Sequence, residues 1–238
     1  MSLVRLLPVA ATLLCGGLML TASVARASVF TVTNLSNNDN VAGSLGFAID
    51  QANASPPGPN TIQFNLAGTI LLMSTLPTIS GNLTINGGGV TISGNNSVSD
   101  FSIANGAVVT LNGLTITAGN TASNGGGIYN GGTLTIVNGT LAGNTAADGG
   151  GIYNSGTLTV VNSTLAGNTA TDGGGIYNNS GMVTLTNSTF LNNSAIFGDD
   201  IYNNGGTVTE TPIPAALPLF ATGLGALGLL GWRRKRKG

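Results

Sequence analysis

Apolar and polar residues alternate in short runs along most of this chain, and the runs recur at a fixed interval. Thr157-Leu158-Thr159-Val160 alternates with period two, which sets Leu158 and Val160 on one face of a strand and the threonines on the other. Thr133-Leu134-Thr135-Ile136 carries the same pattern 24 residues earlier. GGGIYN begins at Gly125, Gly149 and Gly173, again in steps of 24, and a degenerate DDIYN copy puts Tyr202 25 residues after Tyr177. The second half of each unit repeats too: LTIVNGTLAGNTA from Leu134, LTVVNSTLAGNTA from Leu158 and VTLTNSTFLNNSA from Val183. A weaker copy starts at Ile103-Ala104-Asn105, with Ala104 in the tyrosine's place.

Self-similarity of this kind predicts a stack of equivalent units, each burying its apolar face against its neighbours. The units are too short and too β-rich for helical repeats. Each lays down three short strands, with Ile152 and Leu165 as inward anchors of the second and third, and glycine-rich corners supply conformations that other residues resist. Rungs pairing in parallel at ~4.8 Å give an all-β fold, a single-stranded right-handed parallel β-helix of about six rungs between Asn60 and Gly206. The handedness follows the bias of parallel crossovers. An antiparallel sandwich, the structural alternative, would place near-identical copies in non-equivalent positions.

The segments flanking the repeats read differently. Arg5, the apolar run Leu6 to Leu20 and the small-x-small pattern Ala25-Arg26-Ala27 predict a signal peptide over residues 1–27, cleaved after Ala27. Residues 28–60 form an amino-terminal cap, with a strand from Ser28 to Val32 and a short helix turning Leu45, Ala48, Ile49 and Ala52 toward the stack. The repeats occupy 61–210. In the tail, 211–238, Ala215 to Trp232 is uncharged and ~27 Å long as a helix, close to the ~30 Å of a hydrocarbon core. It predicts a carboxy-terminal transmembrane helix, with Trp232 at the interface and Arg233, Arg234, Lys235, Arg236 and Lys237 as the membrane stop.

Charge narrows the partners. All seven Lys and Arg of the 238-residue chain lie in the terminal segments, and all eight Asp and Glu lie between Asp39 and Glu210. A region with no cation should repel nucleic acid and anionic lipid and suit neutral glycans or divalent cations. Cys15, the single cysteine, leaves with the signal peptide, so the fold must hold without disulfides.

The chain has no histidine, which excludes His-based triads and zinc centres of the usual kind. Asp148 and Asp172 lie one rung apart, near the ~5 Å of a retaining glycosidase pair, yet they belong to a repeated turn with no unique residues around it. The chain is therefore expected not to be an enzyme and to need no cofactor, with weak calcium between Asp148 and Asp172 as the one candidate ion. Asparagines recurring at 130, 154, 178 and 203, at 138, 162 and 187, and at 144, 168 and 193 are expected to form structural ladders. Tyr129, Tyr153, Tyr177 and Tyr202 form an outward line, suited to ring-on-ring packing and, as a second reading, to binding sugar faces.

Two resemblances extend this reading. SLGFAIDQANASPPGPNTIQFNLAGTILLMSTLPTISGNLTING, residues 44–87, resembles the opening rungs of a family of bacterial surface β-helix proteins, and the GGGIYN units and Phe190-Leu191-Asn192-Asn193 are similar to motifs of polymorphic outer membrane proteins. The chain departs from those proteins in that its tail does not read as their large carboxy-terminal β-barrel, so self-transport through an outer membrane is not expected. Thr211-Pro212-Ile213-Pro214-Ala215, followed by the apolar and basic segments, resembles the PEP-CTERM sorting signal in its Val-Pro-x-Pro-Ala variant, with Pro212, Pro214 and Ala215 as the motif.

That resemblance implies an exosortase-type membrane protease or transpeptidase as partner, beside signal peptidase and the general secretion machinery. It also implies a Gram-negative source, a transient membrane anchor after export, and a final place on the cell surface or in extracellular matrix. The expected function is that of a structural or adhesive surface protein, with extracellular polysaccharide as a partner. The alternatives are a glycan-binding module using the tyrosine line and, further off, a β-helix glycosidase.

Overall fold

The computed structural model describes residues 27–37, 39–55 and 58–211. They form a right-handed parallel β-solenoid of about six turns. Three sheets run its length. The first has eight strands, from Val29–Val32 to Thr207–Thr211; the second has six, from Thr69–Leu71 to Thr189–Leu191; the third has five, from Phe101–Ile103 to Ile201–Asn204.

The period-two pattern sets the core. Strand Thr133–Val137 pairs in parallel with Thr157–Val161, placing Leu134 against Leu158 and Ile136 against Val160. All four are buried, as are Ile152 and Leu165 on the other two sheets. Each such side chain contributes about 1.5–3 kcal/mol on burial, and the repeat delivers a fresh set every turn.

Corners obey the same repetition. Asn138, Asn162 and Asn187 have φ of 52, 50 and 48°, the left-handed region that asparagine tolerates better than most residues. These three are exposed corner residues, and Asn187 Nδ2 donates to Asn162 Oδ1 at 2.8 Å, a ladder step on the surface rather than in the interior. In the glycine turn, Gly149 has φ +67°, and a Cβ there would lie 2.3 Å from the Ile152 carbonyl oxygen. Only glycine fits.

Helix α1, Leu45–Ala54, packs on the first strands of the solenoid. Ser44 caps it by accepting a hydrogen bond from the Phe47 amide at 3.2 Å, and Leu45, Ala48, Ile49 and Ala52 are buried. The other end is less covered. Leu191, Ile196 and Phe197 of the last turn are all exposed.

The expectation of a transmembrane helix is corrected. Among the described residues no helix is long and apolar enough to cross a membrane. Helix α1 has ten residues, about 15 Å of rise against a ~30 Å core, and it packs on the solenoid. The span expected at Ala215 to Trp232, with its stop at Arg233, Arg234, Lys235, Arg236 and Lys237, lies outside the described residues. The fold class is thus an all-β solenoid without a membrane helix among those residues, and the transiently membrane-anchored localisation is set aside with it.

Candidate functional site

The third sheet positions the tyrosines. In the strand Ile152–Asn154, as in its neighbours above and below, Ile and Asn point inward and the tyrosine between them points out. In-register pairing then stacks the rings. Tyr129 and Tyr153 have centroids 5.2 Å apart at 9°, and Tyr153 and Tyr177 5.3 Å apart at 5°. Tyr202 continues the line at 5.4 Å but is tilted by 33°, and Phe197 packs against it at 6.3 Å.

Stacking this close consumes the ring faces. Tyr153 and Tyr177 are 7% and 8% exposed, whereas Tyr129 is 36% exposed. The hydroxyls of the inner pair are also tied down. Asn179 Nδ2 donates to the Tyr153 oxygen at 2.7 Å, and Asn204 Nδ2 to the Tyr177 oxygen at 3.0 Å. Burial holds the Tyr153 hydroxyl above its ordinary range, and the Asn179 hydrogen bond offsets only part of that.

Beneath the rings the inward asparagines form a buried amide chain. Asn130 Nδ2 donates to Asn154 Oδ1 at 2.7 Å, Asn154 to Asn178 at 2.8 Å and Asn178 to Asn203 at 2.7 Å. A second chain runs from Asn144 to Asn168 to Asn193, each step 3.0 Å, and ends on Asp200 Oδ1 at the same distance. Both ladders satisfy polar groups that would otherwise be orphaned in the interior, and they lock neighbouring rungs in register.

Asp148 and Asp172 sit opposite each other in a parallel bridge. The Asp148 carboxyl is raised above its usual range, first by burial and then by the Asp172 charge. Asp199 and Asp200 do not extend this pair. Ile201 pairs with Ile176, so Phe197 stands opposite Asp172, and the two aspartates take the places of Gly174 and Gly175. Side chains are tolerated there because, among the described residues, no further turn lies above. Among the described residues no group of three His, Cys, Asp or Glu side chains is placed to hold a metal.

The weak first copy also pairs differently from its sequence alignment. Phe101, not Ile103, lies opposite Ile128, so Ser102 rather than Ala104 occupies the place below Tyr129. A slip of two residues keeps Phe101 and Ile103 both facing inward, so alternation alone does not choose between the registers.

That register also seats Asp100 opposite Gly127, at 1% exposure, with neither carboxylate oxygen hydrogen-bonded. Burial pushes its pKa up to about 9. Ala27 is exposed at the start of the described residues; Ala25, Pro212, Pro214, Ala215 and Trp232 lie outside them.

The features missed in the sequence share a signal. The residue two after each tyrosine reads Gly131, Ser155, Asn179 and Asn204, and the asparagines in that column supply the amides on the tyrosine hydroxyls one rung below. Comparison with protein-family models, with curated proteins and with solved structures finds no match to this chain.

Proposed function

We propose that this protein is a non-catalytic, glycan-binding surface module that uses the tyrosine-bearing side of its solenoid. The β-solenoid architecture is consistent with a structural, adhesive or carbohydrate-binding surface module, and the tyrosine line favours the last of these. The observation that carries the reading is the line of stacked rings on one sheet, which leaves aromatic surface open at Tyr129 while its inner rings are closed. Aromatic surface beside neutral donors and acceptors is the chemistry that recognises sugars.

The charge pattern selects the class of sugar. With eight acidic residues and no Lys or Arg between residues 28 and 210, the module should take neutral polysaccharide and reject uronic-acid polymers. The sorting reading rests on Pro212, Pro214 and Ala215 in the sequence, and nothing in the solenoid adds to it. Affinity electrophoresis of the full chain through gels containing neutral or uronate-rich polysaccharides tests the proposal. Retardation by at least one neutral polymer and by no uronate polymer is expected; free migration in every neutral gel would sink it.

A further inference from the structure

We infer that the sugar subsite lies at the amino-terminal step of the tyrosine ladder, on the open face of Tyr129, and that it takes one neutral pyranose unit of a glycan. This rests on the glycan-binding reading and locates it. Four observations converge on that step.

The first is exposure. Tyr129 has a partner ring on one side only, since the residue opposite it on the preceding turn is Ser102. A ring with one covered and one open face is what a pyranose needs, because its C–H face packs flat on the aromatic surface. The inner rings have no face to offer.

The second is the hydroxyl. Tyr153 and Tyr177 receive amides from Asn179 and Asn204, but the equivalent residue for Tyr129 is Ser155, whose Oγ instead reaches the Asn130 carbonyl at 3.3 Å. Among the described residues nothing donates to or accepts from the Tyr129 hydroxyl.

The third is space. The small residues that break the repeat, Ser102, Gly131 and Ser155, line an open cleft of about 590 Å³ beside Tyr129. That lies within the ~300–1,000 Å³ of small-molecule sites.

The fourth is the polar lining. The Ser102 hydroxyl and Asn105 amide border the cleft, and neither makes a hydrogen bond within the described residues. They supply donors and acceptors for sugar hydroxyls. The cleft lining contains no charged side chain, which fits a neutral unit.

A binding site in a repeat protein is expected where the repeat is broken, and here three such positions, Ser102, Gly131 and Ser155, fall beside one ring. At the other end Phe197 packs against Tyr202 at a tilt, so the two ends are not equivalent.

The test uses the full chain and the neutral polysaccharide that retards it most strongly, with affinities from isothermal titration. Tyr129→Ala removes the platform. Ser102→Tyr extends the ladder by one ring and covers the open face without removing any existing contact of the ring stack. Both should weaken binding about tenfold or more, whereas Tyr202→Ala should stay within about twofold. The melting temperature of Ser102→Tyr should equal or exceed that of the wild type, which separates occlusion from unfolding.

Retained binding by Ser102→Tyr would overturn the subsite whatever Tyr129→Ala does. In that case glycan binding stands and its site lies elsewhere. If the wild type binds no neutral polysaccharide, the broader reading fails and the subsite falls with it.

Discussion

Replacing Asp100 with asparagine should raise the melting temperature at pH 8 and flatten the dependence of stability on pH. Asp100 is buried without a hydrogen-bond partner, and its folded pKa of about 9 stands far above the ordinary carboxylate value of 3.8. Between those values the unfolded chain releases a proton that the folded chain keeps, so stability falls as pH rises. The stabilising effect of the neutral carboxyl is complete below about pH 4 and is lost progressively as pH climbs toward 9.

At about 1.4 kcal/mol per pH unit, the loss by pH 7 is about 4 kcal/mol. Asp39 and Asp148 are also raised, chiefly by burial, and push in the same direction. Asparagine keeps the shape but cannot ionise. A gain on the order of 10 °C at pH 8 is expected, shrinking toward zero near pH 4. A wild type whose melting temperature is flat from pH 5 to 8 would contradict the assignment.

The second large effect is expected from Asn168→Leu. Asn168 is fully buried; its Oδ1 accepts from both the backbone and the side-chain amide of Asn144, and its Nδ2 donates to Leu141 O and Asn193 Oδ1. Leucine is of similar size but takes away the acceptor of the buried Asn144 backbone amide and removes one bond each from Asn144 Nδ2, Leu141 O and Asn193 Oδ1, of which Asn144 Nδ2 keeps Ile116 O and Asn193 Oδ1 keeps the Asn168 backbone amide. At roughly 1–3 kcal/mol for the unpaired amide and about 1 kcal/mol for each of the three other bonds removed, the loss should be about 4–6 kcal/mol, measured by denaturant unfolding. The comparison is Asn162→Gly at the exposed corner, where φ is 50° and glycine is conformationally suited. That change should be nearly neutral. Equal losses at the two positions would mean that the interior ladder is not what locks the rungs.

These cases show which parts of the fold were legible in the sequence. The solenoid itself was readable because Leu134, Leu158 and Val183 are the same kind of residue in copies of nearly the same length, and only stacking makes such copies equivalent. The same argument located the tyrosine line and two interior asparagine ladders. It could not separate Asn162, a corner residue in left-handed conformation, from Asn168, because both recur with the same period.

Register at the ends was harder. Aligning Ile103 with Ile128 was a two-residue slip that alternation permits. Asp100 was hidden by that slip, since its seat opposite Gly127 follows only from the correct register. The closure of Tyr153 and Tyr177 depends on amides supplied from the next turn, a lateral contact that period-two reasoning does not describe. Residues 212–238, which carried the membrane and sorting expectations, lie outside the described structure.

The central claim is that a glycan is bound on the tyrosine ladder. All four tyrosines of the chain belong to that ladder, and Trp232, the single tryptophan, lies outside it. Tyrosine emission, resolved from that of tryptophan, therefore reports on this one surface. Titrating the full chain with a neutral polysaccharide that retards it should change tyrosine emission saturably, with a midpoint matching the affinity from calorimetry. Calorimetric binding with no change in tyrosine emission at saturation would contradict the account.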